Sequence, residues 1–206
     1  MTTAAQRWSD DLAAWAIPDE ILAQAPESPW IHPVRMFTVD GSVADSPSHR
    51  TAREALPERG TVVDVGCGGG RASMALVPPA GLLVGVDEEA VMLERYADAA
   101  RAAGAAHDVH LGRWPDVAGT VPAGDVVVCH HVVYNVPDIE PFLSALTHHA
   151  RLAVVIELTD RHPQSAWNAA WRHFWGLSRP VGPTADDFIA AVRELGYEPE
   201  VWRSPK

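Results

Sequence analysis

Cysteines, clustered basic residues and long apolar runs are all scarce in this sequence. Cys67 and Cys129 are its two cysteines among 206 residues, too few for a disulfide framework and an indication of reduced thiols. No cysteine or histidine pair has zinc-finger spacing, so we expect no metal site. Because no apolar run approaches about 18 residues and the N-terminus lacks a signal-peptide pattern, the sequence predicts a cytoplasmic protein without a membrane span.

The charge balance argues against nucleic acid as the main substrate. The sequence has 16 Lys and Arg against 27 Asp and Glu, a formal net charge of −11, and its basic residues are scattered. Nucleic acid is bound by clustered cations, which are lacking here. Hydrophobic residues make up 47% and charged residues 21%, ordinary values for a globular protein, and the length fits one α/β domain.

Apolar segments with strand composition alternate with segments of helical pattern. This order is typical of parallel βαβ units. The predicted strands are residues 61–65, 81–87, 108–112, 125–130, 152–158 and 198–203, and the predicted helices are residues 48–56, 72–76, 88–103, 139–150 and 184–195. The sequence therefore predicts an α/β fold with a mostly parallel sheet.

A glycine-rich turn follows the first predicted strand. Gly66, Gly68, Gly69 and Gly70 come directly after the β-branched run that ends at Val65. A backbone without Cβ atoms takes positive φ angles and lets a ligand approach closely. The helix predicted next would direct its free N–H groups toward the turn. Since α/β proteins bind nucleotide-like ligands outside the carboxyl end of the first strand, we expect a binding site here.

Two ligand classes compete for this turn, and a turn without a ligand is the remaining alternative. Dinucleotide folds use G-x-G-x-x-G, but Arg71 or Ser73 occupies the third glycine position, depending on the starting glycine. The pattern that fits is D-x-G-x-G-x-G, from Asp64 to Gly70, which resembles motif I of the class I S-adenosylmethionine-dependent methyltransferases. Asp87 ends the second predicted strand at about the 20-residue spacing where α/β folds place an acid on ribose hydroxyls. The resemblance therefore implies S-adenosyl-L-methionine as the cofactor.

The resemblance covers residues 48–203 and also implies an architecture. It is a Rossmann-like, doubly wound sheet with helices on both faces, in three α/β/α layers. Family members have seven strands, the last antiparallel and inserted beside the fifth. Only three residues follow the last predicted strand, so we expect the seventh strand to be missing. We divide the chain into an N-terminal helical extension or lid, residues 1–47, and a methyltransferase-like domain, residues 48–206.

The resemblance places candidate site residues at the carboxyl ends of the strands. Trp114, after the third strand, either stacks on adenine or packs on the sheet rim. After the fourth strand a histidine could take a proton, but neighbouring strand residues point opposite ways, so we expect at most one of His130 and His131 to face the pocket. The expected cofactor-binding residues are Asp64, Gly66, Cys67, Gly68, Asp87, Glu88, Arg113, Trp114, Cys129 and His130, and the expected catalytic residues are His130, His131, Tyr134 and Asn135.

Tryptophans are concentrated in two segments that flank the predicted sheet. Trp167, Trp171 and Trp175 recur every four residues and share one face of a helix. We expect this face to be buried against the N-terminal segment around Trp8, Trp15 and Trp30, above the acceptor pocket, because neither segment can expose so much apolar surface alone.

The sequence therefore predicts a methyltransferase that acts on an unidentified small-molecule acceptor. A nicotinamide-dependent oxidoreductase is the alternative enzyme, and Arg71 and Asp64 disfavour it. A non-catalytic S-adenosylmethionine-binding protein would keep the same glycine turn but would show no turnover. The sequence does not indicate an oligomeric state.

Overall fold

The computed structural model describes residues 2–25, 36–39 and 45–204. Contacts divide these residues into two compact units that are interleaved in sequence. One unit, here the sheet unit, consists of residues 36–39, 45–132, 141–157 and 202–204. The other, here the helical unit, consists of residues 2–25, 133–140 and 158–201. The predicted division after residue 47 stays a prediction.

Five parallel strands form the sheet unit's centre, in the order β3-β2-β1-β4-β5. Their bounds are β1 Thr61–Val65, β2 Leu82–Asp87, β3 Ala106–Leu111, β4 Gly124–His130 and β5 Ala150–Glu157. The first five predicted strands are therefore confirmed to within a few residues. All five strands end at the same edge, because they are parallel.

Helices connect and cover the strands. They are α3 Pro47–Ala55, α4 Arg71–Met74, α5 Ala90–Ala102 and α6 Ile139–His149, most of which lies in the sheet unit. α3 begins with a capping box, in which the Ser46 hydroxyl accepts from the His49 N–H and the His49 ring accepts from the Ser46 N–H. Pro47 follows at the first helical position, where a missing N–H costs nothing. The predicted three-layer α/β/α architecture is confirmed.

The core of the sheet unit lies on both faces of the central strands. Val62 of β1 is in register with Leu83 of β2 and Val126 of β4, and all three are fully buried in one cluster with residues of α3, α4 and α5. The next residues along, Val63, Val84 and Val127, face the other way and are equally buried. Strands covered on both faces read as continuous apolar runs, which explains why β1 and β4 have no alternation.

The helical unit is built from α1 Ala4–Ala13, α2 Asp19–Leu22, α7 Asn168–Trp175 and α8 Ala185–Glu194. Helices α1 and α8 pack together, and the fully buried Trp8 lies 5.4 Å from Phe188 between ring centroids. The indole N–H of Trp8 donates to the Val136 carbonyl at 2.8 Å. α8 starts with a capping box, formed by Thr184 and Asp187.

The sixth predicted strand is wrong. Residues 198–203 form no strand, and Val201 and Trp202 are exposed. Pro199 lies within the segment and lacks the N–H that a strand ladder needs. The sheet of the described residues therefore has five strands, and neither the sixth nor the seventh strand of the family pattern is among them.

The expected burial of the tryptophan face on α7 is also wrong. Trp167 and Trp175 are 63% and 45% exposed, and no residue of α7 is buried. Trp8 and Trp15 are buried, but their partners are Phe188 for Trp8 and His162 and Arg179 for Trp15. Trp171 contacts the same arginine as Trp15, since the Arg179 guanidinium lies 5.2 Å from the centroid of the Trp171 ring. Trp30 lies outside the described residues.

Truncating the sheet core should cost far more stability than truncating its surface. We expect Leu83→Ala to lower the free energy of unfolding by about 2–5 kcal/mol, because the substitution leaves a cavity between the strands and α5. Leu152→Ala on β5, where the leucine is 61% exposed, is the matched control and should change it by less than about 0.5 kcal/mol. Urea unfolding of both variants measures the difference, and equal losses would contradict the assigned core.

Candidate active site at the carboxyl edge of the sheet

The glycine turn joins β1 to α4 and takes the conformation that glycine permits. Gly66, Gly68 and Gly70 have φ angles of 69°, 50° and 92°. These are left-handed values that other residues rarely adopt. The turn is tied to β2, because the N–H groups of Gly66 and Cys67 both donate to the Val86 carbonyl, at 2.9 and 3.0 Å.

Neighbouring parts of the chain pack closely on this turn. A Cβ atom at Gly66 would clash with Cγ2 of Val132, which follows β4. At Gly69 it would lie 2.7 Å from the Phe37 carbonyl oxygen, which accepts from the Gly69 N–H at 3.0 Å. Gly68 is the least crowded of the turn glycines, with its nearest neighbour, Cβ of Phe37, at 3.3 Å. Gly68 is therefore the turn position at which a ligand can approach the backbone most closely.

Asp87 ends β2 beside the turn. Its Oδ2 accepts from the Gly68 N–H at 2.8 Å, and its Oδ1 accepts from the Glu89 N–H at 3.0 Å. Two carboxylate oxygens offer about four acceptor positions, so these bonds leave capacity for two ligand hydroxyls. The structure thus brings Asp87 and Gly68 together as the sequence predicts. Glu88 follows on the exposed side.

Asp64 lies in the core rather than at the surface of the turn. It is 1% exposed, and its carboxylate accepts from the Ser73 hydroxyl, which also lies 3.1 Å from the Tyr96 hydroxyl. Burial raises the pKa of the Asp64 carboxyl to about 7, against the opposing hydrogen bond from Ser73. The carboxyl therefore ties β1 to the start of α4, and its predicted contact with the cofactor stays a prediction.

Trp114, which follows β3, packs away from solvent. Trp114 is buried, its indole N–H donates to the Phe142 carbonyl at 3.4 Å, and its ring meets that of His149 edge-on at 4.7 Å. Of the two roles that the sequence allowed for Trp114, stacking on adenine or packing on the sheet, these contacts provide the packing. Arg113 is exposed next to it. Adenine binding by either residue stays a prediction.

Two adjacent histidines at the end of β4 converge on one carboxylate. His131 Nε2 lies 3.2 Å from Glu157 Oε1, and His130 Nδ1 lies 3.9 Å from Glu157 Oε2. The expectation that their side chains point opposite ways fails, because it assumed extended backbone. His131 instead has a φ of 60°, which turns its ring back toward β5. A non-glycine residue in this region is strained, by about 1–3 kcal/mol.

Glu157 is a residue that the sequence interpretation missed. It ends β5, directly paired with His130 in the register of the parallel strands. Its Oε2 accepts from the Ser46 hydroxyl at 3.1 Å. The hydrogen bond from His131 is the main cause that holds the pKa of Glu157 well below its usual range, despite partial burial. An acid at the end of the strand beside the histidines was the sequence signal that could have identified it.

His130 and Cys129 are buried at the end of β4. The ring of His130 lies 5.4 Å from that of His49, and its Nε2 has no hydrogen-bond partner among the described residues. Burial lowers the pKa of His130 to about 4, against the attraction of Glu157. His130 is therefore neutral at physiological pH. Burial likewise raises the pKa of the Cys129 thiol, which is fully enclosed, and that of the Cys67 thiol.

Tyr134 and Asn135, the other two expected catalytic residues, belong to the helical unit. The Tyr134 hydroxyl lies 2.7 Å from the Thr159 hydroxyl and accepts from the Thr159 N–H, and its ring meets that of His162 edge-on at 5.7 Å. Asn135 is exposed. The roles of both residues in catalysis stay predictions.

The described residues contain neither a metal-binding cluster nor a helix that could span a membrane. None of their His, Cys, Asp and Glu side chains forms a cluster able to hold a metal ion. None of their helices combines the length and the apolar character that crossing a bilayer requires.

A protein-family model matches the part of the chain that contains most of this carboxyl edge of the sheet. Residues 62–152, which include the glycine turn, Asp87 and the end of β4, match a family model described as a methyltransferase domain. Residues 62–152 are therefore similar to a methyltransferase domain, in agreement with the resemblance found in the sequence. The sequence matches no curated protein at a significant level.

Solved structures that are similar to this chain share its fold. A Bacillus halodurans protein assigned as a methyltransferase is 18% identical, with a TM-score of 0.54 over 75% of this chain and 68% of its own. Magnesium protoporphyrin IX methyltransferase from Synechocystis, solved with S-adenosylhomocysteine, is 19% identical, with a TM-score of 0.54 over 80% and 82%. A precorrin-8w decarboxylase from Methanobacterium thermoautotrophicum is 13% identical, with a TM-score of 0.51 over 79% and 80%. At these identities the likeness establishes the fold alone.

The buried neutral state of His130 should make the stability of the protein pH-dependent. The folded pKa of about 4 lies below the unfolded value of 6.5, so the unfolded chain binds more protons and stability is lost as pH falls from about 6.5 to 4. In the wild type the free energy of unfolding should fall between pH 7.5 and 4.5. In His130→Gln this fall should be smaller by roughly 2–3 kcal/mol. Urea unfolding at both pH values measures it.

The control for this pH dependence is His148→Gln. His148 is an exposed histidine of α6, and among the described residues its ring bonds to Ser144 of the same helix. The wild-type dependence on pH should persist in this variant. If His130→Gln also keeps the full dependence, His130 is not the group responsible.

Proposed function

We propose that this chain transfers a methyl group from S-adenosylmethionine to a small-molecule acceptor. The observation that carries the proposal is the bond between the Asp87 carboxylate and the Gly68 N–H, at the end of β2 and inside the matched methyltransferase domain. Asp87 keeps acceptor capacity for the ribose hydroxyls, and Gly68 leaves the turn open to close approach. The scattered basic residues support a small acceptor rather than nucleic acid.

Each part of the edge has a role in this proposal. S-adenosylmethionine, when bound, supplies a methyl group on a positively charged sulfur. Asp87 would hold the ribose hydroxyls, and the turn from Gly66 to Gly70 would hold the methionine part. The histidines after β4 face the acceptor side, where His131 is half exposed and His130 is not. Holding the acceptor in line with the methyl group is the main catalytic device, because orientation alone lowers such barriers strongly.

Binding and turnover experiments separate this function from its alternatives. Calorimetry with S-adenosylhomocysteine and with NADH distinguishes a methyltransferase from a nicotinamide-dependent enzyme. Incubating the chain with S-adenosylmethionine and a small-molecule metabolite extract, and measuring S-adenosylhomocysteine released, distinguishes an enzyme from a binding protein. Binding of NADH without binding of S-adenosylhomocysteine would overturn the proposal.

Removing the Asp87 carboxylate should weaken cofactor binding. We expect Asp87→Ala to reduce the binding free energy of S-adenosylhomocysteine by roughly 1.5–3 kcal/mol, because the ribose hydroxyls lose a charged acceptor. Glu89→Ala is the matched control, since Glu89 is a nearby exposed acid. Calorimetry on both variants measures the change, and an equal effect at the two positions would show that the carboxylate of Asp87 does not hold the ribose.

A bulky side chain at Gly68 should block the cofactor. We expect Gly68→Val to abolish measurable S-adenosylhomocysteine binding, because the added atoms occupy the approach to the turn beside Phe37. Valine at position 68 would also be strained, because the φ there is positive. Gly104→Val is the control for this strain, since Gly104 has a φ of 74° and no neighbour within 4 Å of its Cβ position. Gly104→Val should lose stability but keep affinity. Unchanged affinity in Gly68→Val would mean that the cofactor does not bind at this turn.

A further inference from the structure

We propose that Glu157 positions His131 as the general base of methyl transfer, by holding the Nε2–H of its ring and leaving Nδ1 to take the acceptor's proton. The inference rests on the proposed function and specifies its chemistry, since only an acceptor that loses a proton, such as a hydroxyl or an amine, needs such a base. Glu157 acts through His131 and is a positioning residue.

Two contacts fix His131 to Glu157. The ring Nε2 lies 3.2 Å from Oε1 of the carboxylate, and the backbone N–H of His131 donates to the Glu157 carbonyl at 2.7 Å. In a neutral imidazole only one nitrogen carries a proton, and a carboxylate selects the nitrogen that faces it as the donor. Nε2 is therefore the protonated nitrogen, and Nδ1 keeps the lone pair.

The carboxylate of Glu157 is itself held in place. Its other oxygen, Oε2, accepts from the Ser46 hydroxyl at the start of α3. The hydrogen bond from His131 and further contacts, including one from Ser48, keep the pKa of Glu157 well below its usual range. Glu157 consequently remains a charged acceptor throughout the neutral pH range, as an orienting group must.

His131 also lies where a base for methyl transfer is needed. The next residue, Val132, packs directly over Gly66 of the turn, so the backbone of His131 adjoins the end of β1. Its left-handed φ turns the ring toward β5 and leaves the side chain 50% exposed, accessible to an acceptor. Strained backbone at such a position is characteristic of functional sites.

His130 does not meet the same requirements. Its side chain is 10% exposed, and its Nδ1 lies 3.9 Å from Glu157, beyond hydrogen-bond distance. Its Nε2 is buried, and its ring lies 5.4 Å from that of His49 between centroids. Of the two adjacent histidines, His131 alone combines an oriented ring with access for an acceptor.

The proposed step balances in protons and electrons. The acceptor's O–H or N–H bond breaks, and its proton moves to Nδ1 of His131. The acceptor's electron pair forms the new bond to the methyl carbon, while the carbon–sulfur pair returns to sulfur as a neutral thioether. The imidazolium that forms is stabilised by Glu157 and then releases its proton to water.

The tautomer of His131 can be read directly by long-range ¹H–¹⁵N correlation spectra of the full chain at pH 8, without an acceptor. We expect His131 to show protonated Nε2 and bare Nδ1 in the wild type. E157A should lose this preference, and E157Q, which keeps an oxygen acceptor without the charge, should be intermediate. H148Q is the control that should leave the signals of His131 unchanged. A protonated Nδ1 in the wild type, or an unaltered tautomer in E157A, would overturn the inference.

Turnover tests whether Glu157 acts through His131. S-adenosylhomocysteine release in the metabolite extract should fall at least tenfold in E157A and less in E157Q, with unchanged S-adenosylhomocysteine affinity. In an H131Q background, adding E157A should cause no further loss, because the two residues act as one unit. If E157A and H131Q lower turnover additively, the positioning role of Glu157 is overturned, whereas the proposed function is not. A wild type that neither binds S-adenosylhomocysteine nor releases it would instead overturn the proposed function.

Discussion

The pairing of β1 with β2 on one side and with β4 on the other is the constraint on which the site depends. Because the three strands are parallel and in register, their carboxyl ends meet at one edge of the sheet. That edge brings the glycine turn beside Asp87, and it brings Val132 onto Gly66. The register in turn depends on burial of both faces of β1, since a strand covered on both sides cannot shift without opening two core layers.

The fold and the position of Asp87 beside the glycine turn were predictable because they depend on local patterns. Apolar runs, the glycine turn and an acid at a fixed spacing are properties of short segments, and they located β1, β2 and Asp87 correctly. The segment from 198 to 203 has strand composition too, but composition does not supply a neighbouring strand, and Pro199 weakens the ladder. The exposed Trp167 and Trp175 show the same limit. The N-terminal tryptophans expected to cover them pack elsewhere, Trp8 on Phe188 and Trp15 on Arg179.

The arrangement of the two histidines was harder to predict because it depends on one dihedral angle and on a partner distant in sequence. In an extended strand the side chains of His130 and His131 would point to opposite faces. The φ of 60° at His131 removes this alternation. Glu157 lies 26 residues after His131, and only the order of strands in the sheet makes the two neighbours. Sequence spacing carries no signal for such a pair, whereas knowing that β5 lies beside β4 would have identified it.

The hydrogen bonds of the glycine turn have a consequence for which ligands it accepts. Its five successive N–H groups, from Gly66 to Gly70, donate to Val86 twice, to Asp87, to Phe37 and to Cys67. A phosphate bound at a glycine-rich loop depends on such N–H groups as its donors. Here the chain has already used them, and a carboxylate stands at the centre of the turn. The loop has therefore become an acceptor surface with negative charge, which repels phosphate and suits a ligand that brings hydroxyls and a positive charge.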